Sequence, residues 1–152
     1  MLRHAVATLA YRGGKTLRGA SPDFSAYRAS ETTRTPGQIL AHIGDLLDWA
    51  LSIAQGEQKW RNSKPQTWEK DSQRFFAALE AFDNYLATGK PLGAPAEKIF
   101  QGGIADSLTH VGQIAMLRRM AGAPVRGENY FRADIVVGRV GEKQSPPRME
   151  FD

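Results

Sequence analysis

Apolar residues recur every three or four positions in four stretches of the chain, the spacing that places them on one face of an α-helix. The first stretch runs from Leu2 to about Leu17. Gly13 and Gly14 interrupt it, so the helix is either weakened there or ends there. Residues 21–34 follow as a connector. The opening of the chain therefore predicts one helix and a long link to the next.

The second stretch has the clearest boundaries. Thr35 is a suitable N-cap, Pro36 suits the first helical position, and Gly56 is placed to end the helix. The apolar positions of this stretch are Ile39, Ile43, Leu46, Leu47, Ala50 and Ala54. They share one broad face, so the pattern predicts an amphipathic helix that ends before Gly56.

Two more helices are predicted farther along the chain. The third runs from about Thr67 to Ala87 and is ended by the sequence Thr88-Gly-Lys-Pro91. Residues 90–102 are rich in proline and glycine and predict a loop, with a short turn around residues 97–100. The fourth helix runs from about Gly103 to Ala121.

The helical period disappears after Pro124. Residues 135–137 are β-branched and predict a short strand, although nearby glycines and prolines exclude a long one. Residues 125–152 are therefore expected to form an irregular tail packed over the helices. Together these patterns predict an all-α protein, a four-helix bundle with an irregular C-terminal tail, in a single domain spanning residues 1–152.

Composition narrows the classes of function. The chain has 152 residues, 41% of them hydrophobic and 24% charged, which is ordinary for a soluble domain with a core. The absence of cysteine excludes disulfides, thiolate metal sites and a cysteine nucleophile, and it fits a cytoplasmic protein. No apolar run approaches the roughly 18 residues that span a membrane. The net charge is +4, but the basic residues are scattered, so no specific nucleic-acid partner is expected.

Two of the three histidines lie inside apolar helical patterns. Asp106 and His110 are four residues apart, so they share a face of the fourth predicted helix. His42 lies at the edge of the apolar face of the second. If these two helices touch in the core, the three side chains could hold a metal ion. Two imidazoles and one carboxylate leave coordination positions open, as in catalytic sites, and would suit zinc, nickel, iron or manganese.

Other interpretations of these residues stay open on spacing alone. Asp106 falls in the first turn of its predicted helix. There an acidic side chain can cap the helix or be stabilised by the helix dipole. His110 could then form an ordinary i,i+4 pair with Asp106. His42 could be a histidine whose hydrogen bonds are satisfied within the core.

Further residues are candidates for supporting the site or binding a substrate. Gln113 lies close to His110 on the same helix, Trp49 could line a pocket, and Arg118 or Arg119 could bind a carboxylate. Alternatively, Gln113 and Trp49 could be core residues, and the two arginines could complement the C-terminal end of the helix dipole. Asp45 and Asp48 are expected on a solvated face.

Two segments carry a resemblance to a known family. The sequence Thr35-Pro-Gly-Gln-Ile-Leu-Ala-His42, together with Ala105-Asp-Ser-Leu-Thr-His-Val-Gly-Gln113 and the run that follows to Gly122, resembles the DinB-like, or YfiT-like, superfamily. The resemblance implies an antiparallel four-helix bundle, commonly a homodimer. It also implies a divalent metal ion held by one histidine on the second helix and two on the fourth.

His42 and His110 match the first and last ligands of that pattern, and Asp106 stands where the middle histidine is usual. The resemblance thus implies either a two-histidine, one-aspartate site or a branch that has lost its metal. Characterised members include transferases and isomerases that use a low-molecular-weight thiol, and others are hydrolase-like. The expected function is a metal-dependent enzyme of thiol-transferase or hydrolase type acting on a small molecule. The alternative is a non-catalytic, stress-related binding or dimerisation module with a degenerate metal site.

Overall fold

The computed structural model describes residues 1–152 and is mostly helical. Its long helices are α1 (Leu2–Leu17), α2 (Pro36–Ala54), α3 (Trp68–Ala87) and α5 (Asp106–Met120), and between the last two lies the short helix α4 (Ala96–Ile99). A 3₁₀ turn, Pro22–Ala26, and a π-helix, Phe100–Ala105, complete the helical elements. Two short antiparallel strands, β1 (Gly127–Glu128) and β2 (Glu150–Phe151), pair within the tail.

The start of α2 confirms the N-cap that the sequence predicted at Thr35. The Thr35 hydroxyl accepts a hydrogen bond from the backbone N–H of Gln38 at 3.2 Å, and the Gln38 side chain accepts one from the N–H of Thr35 at 2.9 Å. This reciprocal capping box satisfies amides that a helix start otherwise leaves free. Thr67 caps α3 in the simpler way, by accepting from the N–H of Lys70.

The long helices contact one another in a closed pattern. Both α1 and α2 pack against α3, and both also pack against α5. The apolar faces meet in one core, whose largest fully buried side chains include Phe75, Phe82, Leu9, Leu40, Leu47 and Ile114. Helices α1 and α2 therefore have the same two neighbours, α3 and α5.

The first helix continues through the glycine pair that interrupts its pattern. A Cβ atom on Gly13 would lie 2.4 Å from the ring of Phe75 on α3. The missing side chain thus allows α1 and α3 to approach closely, and this packing outweighs the weak helical propensity of glycine.

The prediction that residues 90–102 form a loop with only a short turn is wrong for the second half of this segment. Helical backbone begins at Ala96 and continues through the π-helix into α5, so the fourth predicted helix starts earlier than expected. A Cβ on Gly103 would lie 2.6 Å from the Cβ of Ala50, and one on Gly102 would lie 3.0 Å from the Trp49 ring. These glycines let the π-helix lie directly against α2.

The predicted strand at residues 135–137 is also wrong. Val136 and Val137 are nearly half exposed, and the backbone there forms turns, with the N–H of Arg139 donating to the carbonyl of Val136. The tail is held instead by Glu128, which accepts hydrogen bonds from the Tyr11 hydroxyl and the Lys15 ammonium of α1, both at 2.7 Å. A buried ion pair thus attaches the start of the tail to α1.

None of the helices combines the length and the apolar character needed to cross a membrane.

Candidate metal centre

Contact between α2 and α5 brings His42 beside His110. The centroids of the two imidazole rings are 4.8 Å apart, and the rings stand nearly perpendicular to each other. One donor atom from each of His42, Asp106 and His110 lies within 4.8 Å of the others. This group, called the triad below, is close enough to bind a metal ion.

Asp106 and His110 lie one turn apart on α5. The His110 Nε2 atom is 3.5 Å from a carboxylate oxygen of Asp106. Because the backbone before Asp106 is already helical, Asp106 does not stand at the start of a helix. The structure therefore excludes the interpretation of Asp106 as a simple N-cap, while the i,i+4 contact with His110 is present.

Gln113 fixes the orientation of the His110 ring. Its side-chain oxygen lies 2.8 Å from His110 Nδ1. An amide oxygen can only accept, so Nδ1 is assigned the hydrogen and Nε2 keeps its lone pair. That arrangement leaves Nε2, the nitrogen that faces Asp106, free to bind a metal. Gln113 thus lies where the sequence predicted a supporting residue.

Burial and neighbouring groups favour the neutral form of His42. Its pKa is lowered from the ordinary value of 6.5, first because the ring is partly removed from water and then because His110 and Arg34 lie nearby. A neutral imidazole is the form that binds metals. The His110 side chain is 13% exposed and that of Asp106 is 45% exposed, so the triad opens to solvent on the side of the carboxylate.

Two tryptophans flank the triad on the α2 side. The Trp60 ring lies 5.7 Å from the His42 ring and 6.0 Å from the Trp49 ring, in edge-to-face arrangements. Trp49 therefore reaches the neighbourhood of the triad through Trp60. Trp68 lies elsewhere, packed against Phe24 in the core.

Arg119 is not brought to the triad. It is exposed near the end of α5, nine residues beyond His110, which corresponds to roughly 13 Å along a helix axis. Its neighbour Arg118 turns inward and donates hydrogen bonds to the carbonyls of Thr16 and Arg18 at the end of α1. A role of Arg119 in binding a substrate carboxylate therefore stays a prediction.

The prediction that Asp45 lies on a solvated face is also wrong. Asp45 is 2% exposed and pairs with Arg74 of α3 at 2.7 Å. Ser63 donates to the same carboxylate through its hydroxyl at 2.6 Å and its backbone N–H at 2.8 Å. Burial opposes ionisation of Asp45, but these hydrogen bonds outweigh it and lower its pKa overall. Arg74 also pairs with Asp48.

The main surface clefts lie away from the triad. The largest, of about 880 Å³, is formed by α1, the start of α3 and the tail, and includes Trp68 and Phe76. None of the three main clefts is lined by a triad residue. The triad is therefore identified by its converging ligand atoms and not by any of these three clefts.

Comparison of the chain with models of protein families, with curated proteins and with solved structures yields no match.

Proposed function

We propose that this protein binds a divalent metal ion through His42, Asp106 and His110 and is a metal-dependent enzyme of thiol-transferase or hydrolase type. The observation that carries the proposal is the convergence of three donor atoms from two helices within 4.8 Å. The sequence resemblance to the DinB-like superfamily supplies the class of reaction and the expectations of a small-molecule substrate and a homodimer.

The chemistry of the triad fits such an ion. Two imidazoles and one carboxylate suit zinc, nickel, iron or manganese and leave positions open for a thiol or water. The lowered pKa of His42 and the Gln113 contact of His110 both favour the metal-binding form of the rings. Asp106 contributes a negative charge where the resemblance places a neutral histidine.

The packing of the helices is compatible with the same proposal. Because α1 and α2 each pack on both α3 and α5, an antiparallel four-helix bundle with α1 diagonal to α2 accounts for the contacts. In that arrangement α2 and α5 are neighbours, so the site lies between facing helices, a common position for metal sites in bundles.

A bound divalent ion would lower the pKa of a thiol or of water and so supply the nucleophile. The side chains of the protein then have separate tasks. Gln113 keeps the His110 ring in one orientation, and the partial burial of His42 disfavours protonation of a ligand. The exposed side of Asp106 leaves a path from solvent to the open positions. The absence of cysteine is compatible with a thiol that enters as a cosubstrate.

Turnover with a low-molecular-weight thiol and a reactive electrophile tests the proposal. Metal-loaded protein should consume thiol faster than the metal solution alone, and His110→Ala should lose that rate. His4→Ala is the matched control, because His4 is the remaining histidine and is exposed on α1. If wild type and His110→Ala give the same rate in thiol consumption and in ester hydrolysis, the proposed activity is contradicted.

The contact between Asp106 and His110 supports a second candidate, a non-catalytic binding or dimerisation module. The two side chains meet within one helix and form a polar pair that needs no ion. This candidate predicts no stoichiometric metal and a loss of stability when either side chain is truncated. Metal content therefore separates the two candidates.

A further inference from the structure

The segment that joins α2 to α3 lies beside the triad without regular secondary structure. This segment, residues 55–67, is called the Trp60 loop here. It places the Trp60 ring against His42, although half of the Trp60 surface remains exposed. A large indole that is ordered against a metal-ligand candidate and still open to solvent offers a flat apolar surface to anything that approaches the site.

Hydrogen bonds to buried side chains hold the loop on both sides of Trp60. Before it, the N–H of Lys59 donates to the hydroxyl of Ser52 at 3.1 Å. After it, Ser63 donates twice to Asp45. Farther on, the N–H of Gln66 donates to Asp71 at 2.8 Å. The loop thus has a defined position on the helices despite its irregular backbone.

The anchor at Asp45 links the loop to the ligand helix. Asp45 lies three residues after His42, so the two side chains project from the same side of α2. Arg74 neutralises the Asp45 carboxylate and keeps it ionised as an acceptor for Ser63. One side chain of α2 therefore binds the loop while another faces the triad.

We propose that Trp60 determines which molecules can bind at the metal site, by forming an apolar wall that selects ligands joining a metal-binding group to a flat aromatic body. Asp45 and Ser63 act as positioning residues, because they hold the loop that presents the indole. The inference rests on the proposed metal site and adds the class of ligand. Trp49 extends the wall, since its ring packs edge-to-face against that of Trp60.

Two hydroxamates that differ only in their body provide the test. Acetohydroxamate and benzohydroxamate both bind divalent metals through the same group, but only the second carries an aromatic ring. Calorimetric titration of zinc-loaded protein should show that Trp60→Ala weakens benzohydroxamate binding by up to about tenfold, the scale of one aromatic contact. Acetohydroxamate binding and zinc affinity should stay as in the wild type.

Two further variants control the result. Arg61→Ala changes the neighbouring exposed residue of the same loop and should leave both affinities unchanged. Ser63→Ala removes one of the two hydrogen bonds to Asp45 and should lower the preference for benzohydroxamate by a smaller factor. A purely structural role of Ser63 would not alter the ratio of the two affinities.

The outcomes separate this inference from the function on which it rests. If zinc binds and Trp60→Ala leaves the ratio of the two affinities unchanged, the wall is overturned while the metal site stands. If neither variant nor wild type binds zinc, the metal site and the wall are both overturned. A ratio that falls in Trp60→Ala and not in Arg61→Ala supports the wall.

Discussion

Two polar clusters lie next to each other along α2, and they are built differently. In the first, the Asp45 carboxylate is buried and receives hydrogen bonds from Arg74 and Ser63. In the second, the ligand atoms of His42, His110 and Asp106 converge, and the ion pair of Asp106 is with His110 rather than with a lysine or arginine. In the first cluster, the protein itself supplies hydrogen-bond donors to the carboxylate. In the second, three side chains place ligand atoms with lone pairs close to one another.

This difference indicates separate roles. A buried carboxylate with a paired guanidinium and two hydrogen bonds needs nothing further, so its contribution is to the position of α3 and the Trp60 loop. In the triad, lone pairs of three side chains converge at a partly exposed point, and a metal cation at that point would accept them all. The predictions below test this separation.

The largest expected effect is on stability and concerns the Asp45 cluster. Arg74→Met removes the cation and leaves Asp45 buried, which should lower the free energy of unfolding by about 3 kcal/mol. His42→Gln in metal-free protein should cost about 1 kcal/mol or less, because the triad is more exposed. Urea denaturation in the presence of a chelator measures both. The reverse order would show that the triad is the structural cluster.

A smaller effect is expected on metal affinity when Gln113 is changed. Gln113→Ala removes the acceptor that orients His110 and should weaken metal binding about tenfold, as for other residues that support metal ligands. Isothermal titration with zinc measures the change. Met116→Ala, an exposed position one turn farther along α5, serves as the control. Equal affinities in the two variants would contradict the orienting role of Gln113.

The smallest expected effect is the pH dependence of the free energy of unfolding. The two clusters should lose their contributions to stability at different pH values. The pKa of His42 is lowered in the folded protein from the ordinary value of 6.5. As the pH falls, the unfolded chain therefore binds a proton at this histidine before the folded protein does. The free energy of unfolding should fall from pH 6.5 down to the pKa of His42 in the folded protein. The pKa of Asp45 is lowered from 3.8, so its contribution should be lost only below that pH.

Chemical denaturation of metal-free protein at a series of pH values measures both steps. His42→Gln should remove the upper step and leave the lower one. An unchanged upper step in this variant would show that another group titrates there.

Local signals predicted the parts of the fold that depend on neighbouring residues. Thr35 caps the helix that follows, as predicted, because a cap needs only the next three residues. The i,i+4 spacing of Asp106 and His110 likewise placed both side chains on one face. The position of His42 beside these two side chains could be predicted only on the condition that the second and fourth predicted helices are in contact.

Features that depend on distant residues could not be predicted in this way. The Asp45–Arg74 pair joins residues 29 positions apart, and nothing near Asp45 in the sequence indicates a buried partner. The π-helix forms where Gly103 contacts Ala50 of another helix. The pairing of β1 with β2 joins two segments more than 20 residues apart, and Lys15 of α1 forms ion pairs with Glu128 and Glu150 of these strands. Local propensity cannot predict such contacts.

Metal content is the measurement that tests the central claim most directly. Tag-free wild type, His110→Ala and His4→Ala would each be incubated with a mixture of divalent metals, desalted and analysed for elements. We expect close to one ion per chain in wild type and in His4→Ala, and a loss of that ion in His110→Ala. No bound metal in any of the three proteins, or equal metal in all of them, would contradict a site formed by His42, Asp106 and His110.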